Sequence, residues 1–234
     1  MVNRKSQISR SRLPTKDFNH LPEMTDPPPS RSIIFLAIVF EGGLVGVAVL
    51  LGWLLGRPSV VLIQPSWRGL LLGVVAAVPL IPVLIWCLHS EWGPMRRLIR
   101  EVDETIAPYF ARASTLALLT IALLAGLGEE LLFRGVIQAF LLDLTGTAIA
   151  LIVTSLVFGL LHLITPTYAF LAAAFGLYLG GLMLATGDIL VPIVAHAVYD
   201  VVALGFLRDR GRREQAGPET GKGGSRIDST ETLS

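Results

Sequence analysis

Six apolar runs dominate this chain, at about 33–55, 69–89, 113–142, 147–164, 168–186 and 189–207. Each comes close to or exceeds the ~20 residues that a helix needs to cross a hydrocarbon core of roughly 30 Å. Within lipid every backbone N–H and C=O must be satisfied by the chain itself, and runs of this length do so as helices. The fold class that follows is all-α, a polytopic transmembrane bundle of about six spans. Arg57-Pro58, Gln64-Pro65, Thr145-Gly146-Thr147, Thr165-Pro166 and Gly187-Asp188 supply the breaks. A chain with 53% hydrophobic residues, 16% charged residues and a mean hydropathy of +0.65 is too apolar for an ordinary soluble domain. The single cysteine, Cys87, excludes an intramolecular disulfide and a CxxC metal site, and reads as a small apolar filler.

The net charge of +1 says little about partners; the composition points to the lipid bilayer, and no nucleic-acid partner is expected. The placement of charge says more. Arg31 with the basic residues before it, then Arg96, Arg97, Arg100 and Arg112, then Arg208, Arg210, Arg212 and Arg213 form three groups, which fall on one side if the number of spans is even. By the excess of Arg and Lys on cytoplasmic loops, both termini are then cytosolic. Residues 1–32 are polar, end in Pro27-Pro28-Pro29 and lack the pattern of a secretory signal, so they read as a flexible cytosolic tail. An organelle transit peptide is disfavoured by Asp17, Glu23 and Asp26. Residues 208–234 read as a disordered tail, which leaves 33–207 as the membrane domain. The loop 90–112 mixes arginines with Glu91, Glu101, Asp103 and Glu104 and predicts an interfacial amphipathic helix, with Trp86 and Trp92 in the aromatic belt.

Against this background the segment 113–207 carries ionisable groups where none are expected: Glu129, Glu130, Arg134, His162, His196 and Asp200. A charge in hydrocarbon costs at least ~2.5–3.5 kcal/mol, so such residues face one another or a watery cavity. Arg134 follows Glu130 by one helical turn, on the same face, where an ion pair forms. Glu129 points about 100° away from Glu130, which leaves it free for another task. His162 lies one turn after Phe158, and Asp200 one turn after His196, where a carboxylate can fix the imidazole tautomer. The third span is long for a crossing and has its carboxylates at mid-length, so it either bends or admits water.

Three patterns in this order, Glu129-Glu130-x-x-x-Arg134, Phe158-x-x-x-His162 and His196-x-x-x-Asp200, resemble the signature motifs of the CAAX protease and bacteriocin-processing family, also called Abi, of intramembrane endopeptidases. The run from Gly180-Gly181 through Thr186-Gly187-Asp188 to Pro192 and His196 resembles the family's approach to its third motif. The resemblance covers about residues 113–207. It implies a peptidase acting on a membrane-associated peptide, in which Glu129 and His162 activate water, His196 and Asp200 stabilise the oxyanion, Glu130 and Arg134 form the supporting pair, and Phe158 contacts substrate. The sequence departs from the commonest family pattern at Asp200, where asparagine is usual. An amide donates to an oxyanion, whereas an ionised Asp200 repels it, so Asp200 is either protonated or orients His196.

A zinc ion bound by Glu129, His162 and His196 is the alternative to a glutamate-driven mechanism. The metal-free route is favoured, because the three ligands lie on separate helices and no HExxH helix is present. A non-catalytic scaffold or immunity-type protein of the same fold is the rival reading. A transporter is disfavoured by the lack of an inverted repeat. Two features remain. The series Ala172, Gly176 and Gly180 suits close helix packing, and Glu41 in the first span lines a substrate path or pairs with a rim arginine rather than joining the chemistry. Counted from the arginine-rich ends, His162 is expected to sit shallower than Glu129.

Overall fold

The computed structural model describes residues 30–216, and among these the chain is all helix and turn. The elements in order are α1 (Ser30–Leu54), a 3-10 turn (Ser59–Leu62), α2 (Trp67–Ala77), α3 (Leu80–His89), α4 (Gly93–Thr105), α5 (Ala107–Phe110), α6 (Thr115–Glu130), a π-helical segment (Leu131–Gln138), α7 (Ala139–Thr145), α8 (Thr147–Leu161), α9 (Pro166–Thr186) and α10 (Leu190–Ala216). Five stretches are long and apolar enough to span: Arg31–Leu54, Trp67–His89, Thr115–Thr145, Pro166–Thr186 and Leu190–Ala216. The run expected at 147–164 is the sixth. It forms the shorter α8, which ends at Leu161. The polytopic bundle read from hydropathy is the observed architecture.

Local chemistry sets the boundaries. Ser114 and Thr165 cap α6 and α9, accepting from the backbone N–H groups of Ala117 and Tyr168, and Pro166 opens α9 at a position that needs no N–H. Gly146 (φ 80°) reverses the chain between α7 and α8, and Gly187 (φ 65°) does so after α9, in the left-handed region that favours glycine.

One end of the bundle gathers the arginine groups. Ile34, Phe110, Ala113, Leu118 and Ile121 form a cluster there, against Leu204 and Leu207 of α10. The amphipathic loop expected at 90–112 is α4 followed by α5, and α4 buries Met95 and Leu98 against Tyr168 and Leu171 of α9. One boundary is corrected. The tail placed at 208–234 does not start at Arg208, because α10 continues to Ala216. Arg210 pairs with Asp103 on α4, Arg208 donates to Thr115 Oγ1 at 3.1 Å, and Arg212 donates to the carbonyl of Ala111 at 2.9 Å. Side chains that read as a solvated basic tail are thus the fasteners of α10 to α4 and its neighbours. The first helix, α1, also begins earlier than expected, at Ser30; residues 1–29 and 217–234 lie outside the described residues.

Candidate active site

The six polar residues converge at mid-depth. α6, the π segment and α7 form one continuous stretch of 31 residues, with Glu129 and Glu130 at the end of α6 and Arg134 in the first π turn. A π insertion widens the helix locally and re-aims its side chains, and such turns recur at functional sites. The hairpin through Gly146 explains why His162 is level with Glu129 and not shallower. Glu129 lies seventeen residues before Gly146 and His162 sixteen after it, so antiparallel packing carries both to similar depth. The chain turns back at His162–Thr165 without continuing the helix toward the arginine-rich end.

Close approach around Glu129 depends on small residues. A Cβ on Gly126 would meet the carbonyl oxygen of Ile193 at 2.8 Å, and one on Gly128 would meet that of Glu41 at 2.9 Å. These two positions let α10 and α1 close on α6 on either side of the carboxylates.

The polar contacts divide into a support and an opening. Arg134, 1% exposed, donates from Nη1 to Glu130 Oε1 and from Nη2 to the carbonyl of Gly176, both at 2.8 Å. Its guanidinium carbon lies 5.1 Å from the centroid of Phe158 and 5.9 Å from that of Phe133. The same Glu130 oxygen lies 2.8 Å from His196 Nδ1. An ionised carboxylate only accepts, so Nδ1 carries the proton that it donates, and Nε2 is left facing the opening. His162 is fixed similarly: its Nδ1–H donates to the carbonyl of Phe158 at 2.8 Å, and its ring stacks on Phe158 with centroids 4.5 Å apart. Its Nε2 then lies 3.9 Å from Glu129 Oε1, and His196 Nε2 lies 3.9 Å from Glu129 Oε2. Asp200 Oδ2 is 3.5 Å from His196 Nε2.

Two roles change from the expectation. The tautomer of His196 is held by Glu130, from 66 residues away in sequence, and not by the neighbouring Asp200. Phe158 is 2% exposed, wedged between Arg134 and His162, so it packs the site. The series Ala172, Gly176 and Gly180 packs closely, and it does more: the bare carbonyls of Gly176 and Gly180 accept from Arg134 and from Gln138 Nε2. Gln138, 1% exposed, was missed in the sequence, although Glu130, Arg134 and Gln138 form an i, i+4, i+8 polar ladder that signals it. Phe175, whose ring meets that of His196 edge-on at 5.0 Å, carries no signal of its own in the sequence.

Glu129, His162 and His196 are suitable ligand types for zinc, but the two imidazoles face different oxygens of the carboxylate at 3.9 Å each. Among the described residues no three His, Cys, Asp or Glu side chains come close enough together to hold a metal ion.

The family model described as type II CAAX prenyl endopeptidase Rce1-like matches residues 111–202, a segment that holds all six polar residues. Residues 111–202 are similar to the Rce1-like family. A protein of Bacillus subtilis (strain 168) named "Uncharacterized protein YpbD" is similar to this chain, 28% identical over 142 residues. The match covers 58% of this chain and 65% of that relative, so the chain spans a little under two thirds of its length. No solved structure matches. The matched segment runs from just before α6 through the third motif on α10, and it includes helices long and apolar enough to cross a membrane.

Proposed function

We propose that this chain is an intramembrane endopeptidase that hydrolyses a peptide bond in a hydrophobic or membrane-tethered peptide, with Glu129 as the general base. The observation that carries this reading is the pair of imidazole nitrogens, His162 Nε2 and His196 Nε2, each facing the carboxylate of Glu129 at 3.9 Å. That separation is too long for a direct hydrogen bond and suits a water molecule within reach of both groups. Glu129 takes a proton from this water, held also by His162, and the resulting hydroxide attacks the scissile carbonyl carbon. His196, protonated at Nε2, donates to the oxyanion, while Asp200 beside that nitrogen orients the ring and balances its charge. Glu129 then returns its proton to the leaving nitrogen as the C–N bond breaks. Glu130 and Arg134 touch no reacting atom in this scheme. They hold His196 in place.

The reading requires no metal. The test uses the full-length protein in lipid nanodiscs with a panel of hydrophobic peptides, prenylated and not, analysed by mass spectrometry. The wild type cuts at a discrete bond, and Glu129→Ala loses about 10²–10⁴-fold in rate, the usual contribution of a positioned base. Cleavage retained in Glu129→Ala removes Glu129 from its role. A folded wild type that cuts none of the panel favours the scaffold reading instead.

A further inference from the structure

The first helix carries an acidic residue that this chemistry does not use. The inward stripe of α1 runs through Ile34, Ile38, Glu41, Val45 and Ala48, the spacing of a buried helical face, with Glu41 at its centre. Below it, Ile34 and Ile38 belong to the cluster that includes Leu204 and Leu207 of α10. The two helices run in opposite directions, so one turn further along each brings Glu41 level with Asp200. The backbone carbonyl of Glu41 lies against Gly128, the residue before Glu129. No rim arginine pairs with Glu41 among the described residues, and its buried Oε2 has no hydrogen-bond partner there. The same holds for Oε2 of Glu129, whose side chain is 10% exposed.

Counting charges sharpens this. Glu130 is matched by Arg134, but Glu41, Glu129 and Asp200 have no lysine or arginine within ion-pair distance among the described residues; their only such partners are His162 and His196. Three carboxyl groups on three helices, around an opening in a low-dielectric bundle, create a potential that favours a cation. A side chain of the substrate can supply such a cation. Glu129 and His196 are buried, while Asp200 and Glu41 are partly exposed.

We propose that the substrate carries a lysine or arginine within a few residues of the scissile bond and that the carboxylate of Glu41 receives it. This rests on the protease reading and names the substrate class of that same site. The long apolar stem of either residue can lie along the apolar wall of α1 while its charged head reaches the carboxylate.

The experiment takes one peptide that the full-length protein cleaves in nanodiscs and replaces each of the three residues on either side of the cut, in turn, by Lys or by norleucine. At one position or more, kcat/KM for the Lys peptide is expected to exceed that for the norleucine peptide by about tenfold or more. In Glu41→Gln that ratio falls to near one. In Glu41→Lys the preference turns toward a peptide with Glu at the same position, which keeps the test decisive if the first variant fails to fold. A wild-type ratio near one at every position, an unchanged ratio in Glu41→Gln, or a retained preference for Lys in Glu41→Lys overturns this inference and leaves the protease reading standing. Absence of cleavage of every peptide by the folded wild type overturns the protease reading itself, and the inference with it.

Discussion

Replacing Arg134 by methionine isolates the support beneath the site. The guanidinium is 1% exposed, bonds to Glu130 Oε1 and to the Gly176 carbonyl at 2.8 Å each, and faces the ring of Phe158. Methionine fills much of the space but leaves the carboxylate of Glu130, 0% exposed, with His196 as its remaining partner. Breaking a buried ion pair from one side costs about 3–5 kcal/mol, mostly because the stranded charge is not compensated. Removing that charge as well, in Glu130→Gln/Arg134→Met, leaves a neutral amide whose oxygen still accepts from His196 Nδ1, and the remaining loss of hydrogen bonding is about 1–2 kcal/mol. The double variant is therefore expected to be more stable than the single one, although it carries one more change. Reversible unfolding of the full chain in bicelles, followed by tryptophan fluorescence, measures this. A single variant destabilised by less than about 1 kcal/mol, or a double variant less stable than the single, refutes the claim that Arg134 compensates a buried charge.

Three further outcomes follow from the site. Asp200→Asn keeps a group that can accept from His196 and adds a donor for the oxyanion, so its kcat is expected within about tenfold of wild type, whereas Asp200→Leu loses about 10²-fold or more; equal loss in both contradicts the orienting role. Strong chelation leaves peptide cleavage unchanged, and activity lost to chelator but restored by zinc overturns the metal-free reading. His162→Phe keeps a ring able to stack on Phe158 but removes Nε2, and it is expected to lower kcat without lowering thermal stability by more than about 1 kcal/mol; unimpaired turnover removes His162 from the water.

The sequence made legible what repeats along one helix. Glu130 with Arg134 and His196 with Asp200 are pairs one turn apart, and both lie within 4 Å. Hydropathy placed the spans to within a few residues except at the end of α10, since apolar length is what lipid selects. What the sequence did not reveal lies between helices or in backbone detail that hydropathy does not sense. The π segment Leu131–Gln138 has the same apolar character as the α-helix around it, and the Glu130–His196 bond depends on the packing of α10 against α6. Phe158 read as a substrate contact because spacing reports a face and not whether the face is covered. The last turns of α10 read as a tail because their arginines find partners on α4, α5 and α6 only once the bundle has formed.

The central claim is that Glu129 and His162 act on one water molecule. The most direct measurement compares kcat for Glu129→Gln, His162→Phe and the double variant on a single cleaved peptide. Groups that act as a unit are not additive, so the double variant is expected to be no slower than the slower single variant, within about threefold. A double variant whose loss is the product of the two single losses contradicts the account.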